Sequence, residues 1–172
     1  MAGVTIELHD YDPEWPRLYE QEASRIAAAL GGRVKRLEHV GSTSVPGLAA
    51  KPIVDIVLAV DDASDEQSYA IALADLGYRL HIREPEWFEH RLFRGPHNKV
   101  NLHIFSDGAA EIERMTRFRD RLRSSSADRR RYGDEKRELA GLDWVTVQAY
   151  ADAKSEIVEQ ILSNAHRGRQ GS

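Results

Sequence analysis

Residues 52–60 constrain the fold of this chain most, because their sequence, PIVDIVLAV, is apolar except for one acid. A strand without alternating polar residues is typical of the middle of a sheet that helices cover on both faces. Burying the Asp55 carboxylate there is unfavourable by several kcal/mol unless the group is paired, hydrogen-bonded or bound to a metal. The run therefore predicts a buried central strand, and Asp55 predicts a functional site on it.

The pattern around this strand predicts a mixed α/β chain that forms one domain. Asp12 and Pro13 are typical of a helix start, and Gly31 with Gly32 of its end. Periodicity and turn residues predict further strands at 34–40, 78–82, 90–94 and 100–105, and helices at 66–76, 109–123, 127–140 and 146–162. We expect a single domain over residues 1–165, with a sheet-containing core at 1–107, a helical part at 109–164 and a disordered tail at 166–172.

Composition excludes several classes of protein. The 172 residues contain no cysteine, which excludes disulfides and thiolate metal sites. No apolar run approaches the length of about 20 residues that a membrane helix requires, and the N-terminus lacks the pattern of a secretory signal. These features predict a cytoplasmic protein without a membrane partner. A formal net charge of −4 disfavours a nucleic-acid partner, although the basic segment 114–137 could contact phosphates.

The segment before the apolar run predicts a phosphate-binding turn. It reads GSTSVPG over residues 41–47. Glycine lets the backbone approach a ligand closely, and consecutive hydroxyl and N–H groups can hold an anion. We therefore expect Gly41, Ser42, Thr43 and Ser44 to bind phosphate, with Lys51 adding a positive charge.

Residues 39–56, HVGSTSVPGLAAKPIVDI, resemble the GrpB family, formerly an uncharacterised protein family, which belongs to the nucleotidyltransferase superfamily. The resemblance extends over nearly the whole chain and includes YDPEW at 11–15, KVNLHIF at 99–105 and FRDRLR at 118–123. It implies an α/β fold of the α+β type, in which helices flank a nucleotidyltransferase-like mixed β-sheet and a C-terminal helical cap follows.

The resemblance also implies a metal site, in which this sequence lacks one ligand. Active nucleotidyltransferases hold two divalent cations with two carboxylates, two residues apart on one strand, and a third on a later strand. Asp55 matches the first carboxylate, Val57 stands in place of the second, and His103 stands at the later position. We expect Asp55, His39 and His103 to bind a divalent metal, with Mg²⁺, Mn²⁺ and Zn²⁺ left open, and either histidine to act as general base.

Other basic residues predict further phosphate contacts. Lys154 lies on the apolar stripe of the last predicted helix, where its side chain either extends to water or points into a cleft. In the second case, Lys154 and Lys136 would meet phosphate groups as point charges. Arg91 and Arg94 are both candidates, but their spacing places them on opposite faces of a strand, so we expect one of them to line the site.

Two functions from different classes follow from these residues. The first is an enzyme that binds a nucleotide or other phosphate-bearing molecule with a divalent metal and transfers a nucleoside monophosphate to an unidentified acceptor. The second is a module that keeps the fold, has lost a metal carboxylate, and binds a ligand or assists a partner protein. Val57 favours the second function. The polar cluster of Asp55, His39 and His103 in an apolar setting favours the first.

Overall fold

The structure, a computed structural model, describes residues 3–169. A five-stranded mixed sheet has the spatial order β1-β2-β5-β4-β3. Its strands are β1 (Arg36–Val40), β2 (Val54–Val60), β3 (Arg79–Glu84), β4 (His90–Arg94) and β5 (Val100–Ser106). The helices are α1 (Glu14–Leu30), α2 (Ala70–Asp75), α3 (Ala110–Ser124), α4 (Ser126–Ala140), α5 (Val147–Ala153) and α6 (Ser155–Arg169). The predicted combination of a mixed sheet, flanking helices and a C-terminal helical part is confirmed.

Strand β2 is central, as its sequence predicts. It pairs parallel with β5 and antiparallel with β1, and every residue of it except Asp55 is buried. Ile56 and Leu58 belong to a core cluster that includes residues of α1 and α2. Val57 and Ala59 belong to a second cluster, which includes Ile112 of α3. Helices therefore cover both faces of the sheet at this strand.

A third apolar cluster attaches the helical part to the long loop between β1 and β2. Val45 and Leu48 of the loop share this cluster with apolar residues of α3, α4 and α6, which are Leu122, Tyr132, Ile157 and Ile161. The loop is thereby held between the sheet and the helices. None of the helices in residues 3–169 is long and apolar enough to cross a membrane.

Three helical segments differ from the prediction. The predicted helix 146–162 is two helices, because α5 ends at Ala153 and α6 begins at Ser155, with Lys154 at the junction. Its predicted start is confirmed, since the Thr146 hydroxyl accepts a hydrogen bond from the Ala149 N–H at 3.0 Å. Helix α6 continues to Arg169, into the segment 166–172 predicted as a disordered tail, of which residues 170–172 lie outside the described residues. The predicted helix 66–76 is a 3₁₀ turn at Glu66–Ser68 followed by α2.

Gly41 allows the loop to pass close to β2. Its φ is 74°, in the left-handed region, and a Cβ built on it would lie 2.6 Å from Asp55 Oδ2. Gly47, in the same loop, has a φ of 85°, but a Cβ there would have no neighbour within 4 Å. Gly47 is therefore a reference for Gly41, since both have a positive φ and they differ in the contact with Asp55.

We predict that Gly41→Ala destabilises the protein more than Gly47→Ala. Both substitutions force a non-glycine residue to a positive φ, which costs on the order of 1–3 kcal/mol. Gly41→Ala must in addition displace the Asp55 carboxylate. Urea unfolding of both variants measures the difference in the free energy of unfolding. Equal losses for the two variants would show that the Asp55 side chain moves aside freely.

Candidate functional site

A pocket of about 170 Å³ lies where the sheet, the β1–β2 loop and the helical part meet. Strands β2 and β5 contribute Asp55 and Asn101, which are adjacent in the parallel register. The remaining lining residues come from the N-terminal segment, the loop and the helices: Leu8, Ser42, Thr43, Ala50, Lys51, Ile53, Lys136, Tyr150 and Lys154. One carboxylate and three lysines therefore surround the same small space.

Lys136 is the most buried of the three lysines, with 3% of its surface exposed. Its Nζ donates hydrogen bonds to Ser42 Oγ at 2.6 Å and to the Ala49 carbonyl oxygen at 2.7 Å. Burial, followed by the charge of Lys154, lowers the pKa of Lys136 to about 7, although Asp55 acts in the opposite direction. The protein thus holds a desolvated ammonium group against one wall of the pocket.

Lys154 extends into the pocket instead of along the surface. Its Nζ lies 4.6 Å from the centre of the Tyr150 ring, within the range of a cation–π interaction. Burial, followed by the charge of Lys51, lowers the pKa of Lys154 to about 8. The ion pairs found within residues 3–169 include none of the three pocket lysines. Among the residues that line the pocket, Asp55 alone carries a negative charge that offsets the positive charges of the lysines.

The four residues of the predicted phosphate-binding turn have different roles in the structure. Ser42 lines the pocket and accepts the hydrogen bond from Lys136. Thr43 also lines the pocket, but its hydroxyl is bonded to His39 Nε2 at 2.9 Å. The Ser44 hydroxyl donates to the Gly41 carbonyl oxygen at 2.5 Å and holds the turn closed. Gly41 provides the close approach to Asp55. Of the three hydroxyls in this turn, the Ser42 hydroxyl is the one that contacts Lys136.

The predicted trio of Asp55, His39 and His103 does not come together. Strand β1 places His39 in register with Ile56, and its ring stacks on Tyr19 of α1 at a centroid distance of 4.9 Å. His39 therefore lies on the α1 side of the sheet, whereas Asp55 lies on the α3 side. Burial lowers the pKa of His39 to about 4, so its imidazole is neutral at physiological pH. His39 supports the turn through Thr43 and does not itself line the pocket.

Asp55 and His103 are adjacent, and they form one end of a hydrogen-bonded chain across four strands. Asp55 Oδ1 lies 3.1 Å from His103 Nε2, and His103 Nδ1 lies 3.1 Å from His90 Nε2. The other ring nitrogen of His90 lies 2.8 Å from Glu84 Oε1. Glu84 is 44% exposed, whereas His90 is 5% exposed. The chain thus leads from the pocket, through a buried imidazole, to the protein surface.

Proton counting constrains the charge of this chain. Each of its three contacts requires one proton, but two neutral imidazoles carry only two. With both carboxylates ionised, both histidines donate outward, and the His90–His103 contact needs a third proton. Burial and the charge of His103 lower the pKa of His90, which favours its neutral form. With both imidazoles neutral, one of the three contacts lacks a proton.

The residues at Asp55 do not fit the two-cation site that the family resemblance implies. Val57 is fully buried and apolar, and no group of three or more His, Cys, Asp or Glu side chains within residues 3–169 is arranged to hold a metal ion. Asp55 is the one carboxylate of the pocket, and one of its oxygens already contacts His103. The lysines repel a cation from the same space.

One of the two candidate arginines lies on the site face of the sheet. Arg94 is in register with Asn101, which is in register with Asp55, so the three side chains lie in a row. Arg91 is in register with Ile104, a residue of the core cluster beside α1. Its guanidinium donates to the Glu89 carboxylate and carbonyl, away from the pocket. Only Arg94 remains a candidate for contact with a ligand.

Sequence reasoning missed three participants in this site. Tyr150 lies on the apolar stripe of the predicted helix 146–162, yet it lines the pocket, and its buried hydroxyl has no hydrogen-bond partner among the described residues. Glu84 and His90 join the site through strand pairing, which no local pattern reveals. A signal for Tyr150 was present, because a phenol on a buried stripe needs a partner for its hydroxyl.

Comparisons with known proteins agree with the family resemblance. The family model described as GrpB protein matches residues 5–164. A UPF0157 protein of Halalkalibacterium halodurans is 55% identical over 95% of this chain and 84% of that protein, and one of Streptomyces coelicolor is 46% identical over 98% and 88%. The crystal structure of conserved protein GrpB from Enterococcus faecalis matches with a TM-score of 0.78 and 30% identity, over 95% of this chain and 99% of that chain. A dephospho-CoA kinase of Mycolicibacterium paratuberculosis is 35% identical over 81 residues, which are 45% of this chain and 20% of that protein.

The chain of four residues predicts opposite effects of two substitutions on the pKa of His90. Burial and the charge of His103 lower this pKa, whereas the hydrogen bond and charge of Glu84 raise it. Glu84→Gln should therefore lower the pKa of His90 further, and His103→Gln should raise it. NMR titration of the imidazole C–H signals measures both changes. Glu86→Gln, an exposed change in the same hairpin, is the control and should have no effect. A pKa of His90 that is insensitive to Glu84→Gln would contradict the hydrogen bond between His90 and Glu84.

Proposed function

The chain belongs to the GrpB family, and we propose that its pocket binds the phosphate groups of a nucleotide or another phosphate-bearing small molecule. The observation that carries this proposal is the set of three lysines around a single carboxylate. Burying ammonium groups without an anionic partner is unfavourable, so such a cluster is retained where a ligand provides the missing anion. Perturbed pKa values in a concave site are a further mark of function.

Hydrogen bonding supports the same ligand class. Lysine carries three N–H donors, and Lys136 uses two of them on Ser42 and Ala49, which leaves one for a ligand. Ser42 accepts from Lys136 and is also hydrogen-bonded to Tyr132, so its hydroxyl orients the Lys136 ammonium at the pocket. Charge-assisted hydrogen bonds from such donors to phosphate oxygens are about twice as strong as bonds between neutral groups.

We propose a binding module as the first function and nucleotidyl transfer as the second. Val57 removes the second carboxylate that two-cation transfer requires, and the three lysines favour an anion over a metal. The dephospho-CoA kinase with a segment similar to this chain supports a role in assisting a partner protein. The contact of Asp55 with His103 favours the enzyme, since this pair could accept the proton of an acceptor hydroxyl.

A thermal-shift titration with nucleoside triphosphates and simpler phosphates, each with Mg²⁺, Mn²⁺, Zn²⁺ or no metal, tests the proposal. A ligand at about 100 times its dissociation constant should stabilise the fold by about 2.7 kcal/mol. Lys136→Met and Lys154→Met should abolish the shift. Lys35→Met is the matched control. Lys35 directly precedes the first residue of β1, at the end of the strand away from the pocket, and pairs with Asp61. A ligand shift that survives in both pocket variants would place binding elsewhere.

Phosphate binding should weaken as pH rises from 7.5 to 9. Lys136 and Lys154 have pKa values of about 7 and 8, so in the free protein Lys136 is already mostly deprotonated at pH 7.5 and Lys154 loses its proton over this range. The charged groups facing Lys136 are Lys154, Asp55, Lys51 and Arg137, and an added anion opposes their net repulsion. Binding should therefore be accompanied by proton uptake. Calorimetry in two buffers of different ionisation enthalpy measures this uptake, and its absence at pH 8 would contradict the assignment.

A further inference from the structure

We infer that the pocket binds a doubly charged phosphate group, such as that of a phosphate monoester, and that its lysines replace divalent metal in doing so. This inference rests on the proposed function and specifies the ligand of the same site. Three features of the pocket carry it: the balance of charge, the volume, and the kinds of group that line the walls.

The charge balance fits a dianion. Lys51, Lys136 and Lys154 contribute three positive charges when protonated, and Asp55 contributes one negative charge, which leaves two positive charges. A phosphate monoester carries about −1.5 to −2 at pH 7. A triphosphate brings more negative charge, which enzymes neutralise with metal ions that bridge its phosphates. This pocket neutralises a single phosphate group with its own side chains.

The volume of the pocket fits a small group. It measures about 170 Å³. Sites that enclose a whole drug-sized ligand measure about 300–1,000 Å³. A phosphate group and the first atoms attached to it would fill such a space, and the remainder of the ligand would lie outside, toward the exposed Arg94 of β4.

The lining groups are hydrogen-bond donors suited to an anion. The Lys136 ammonium has one donor left beyond its bonds to Ser42 and Ala49. Tyr150 lines the pocket, is 1% exposed, and its hydroxyl lacks a partner within the described part of the chain. A phosphate oxygen reaching this hydroxyl would satisfy it. Of the lining side chains, Asp55 alone is a carboxylate, and it would repel the anion.

The role of Asp55 separates this inference from a metal site. If Asp55 held a metal that binds the phosphate, Asp55→Asn would abolish binding. If the lysines bind the phosphate directly, Asp55→Asn removes a repulsive charge and should tighten binding severalfold at pH 6, where Lys136 and Lys154 stay protonated without the Asp55 charge that raises their pKa values. The asparagine has nearly the same shape, and its amide oxygen can still accept from His103 Nε2. The two mechanisms therefore predict changes of opposite sign from one conservative substitution.

The experiment is a calorimetric titration of the full chain with inorganic phosphate, methyl phosphate and ATP, each in excess EDTA and in excess Mg²⁺. We expect methyl phosphate and inorganic phosphate to bind equally well in both conditions. Asp55→Asn should bind them more tightly at pH 6, and Tyr150→Phe should bind them severalfold more weakly. Thermal unfolding of each variant establishes that it is folded before its affinity is compared.

Two results would overturn the inference, and they differ in what they say about the proposed function. Binding of ATP alone, and only with Mg²⁺, would leave the phosphate-binding function in place but refute the metal-free monoester site. The loss of methyl phosphate binding in folded Asp55→Asn would refute it in the same way. If none of the three compounds binds with or without Mg²⁺, both the inference and the proposed function fail.

Discussion

Strand β2 must be covered on both faces, and this requirement determines where the rest of the chain lies. Its even-numbered residues face the cluster beside α1, and the odd-numbered residues after Asp55 face the cluster beside α3. The C-terminal helices therefore have to pack over the second face, above the loop that precedes the strand. That packing brings Lys136 of α4 within hydrogen-bonding distance of Ser42. The site is a consequence of covering an apolar strand whose second residue, Asp55, is an acid.

Much of the fold was predictable because its signals are local. Strand β4 has the predicted bounds, and apolar content alone identified β2 as central. The division of the last predicted helix at Lys154 was missed, because the apolar spacing of Tyr150, Ile157 and Ile161 continues through the junction. The predicted position of His39 beside Asp55 was wrong for a different reason. A change of one residue in strand register inverts every side chain, and the antiparallel register of β1 with β2 is set by the loop between them.

The candidate site was predictable in its residue types and only partly in its geometry. Asp55, Ser42 and Lys51 are close in sequence, so their proximity in space needed little more than a turn. Lys154 was recognisable as a candidate because a lysine on an apolar stripe must extend either to water or into a polar cleft. The Glu84–His90 end of the hydrogen-bonded chain depends on the pairing of β3, β4 and β5, which sequence patterns leave undetermined. The excess of three lysines over one carboxylate, which favours an anion over a metal as the proposed ligand, is visible only in the folded pocket.

The positive charge of the pocket is divided unequally along the chain. The part of the chain that forms the sheet supplies Lys51 and Asp55, whose charges cancel. Lys136 and Lys154, which carry the excess, both come from the helical part. A fragment ending after β5 would thus retain the turn and the carboxylate but present a neutral surface to phosphate. Adding a separate helical fragment would restore the attraction for phosphate only if the two fragments reassociate. The proposed anion binding would therefore report on complementation between the two parts of the chain.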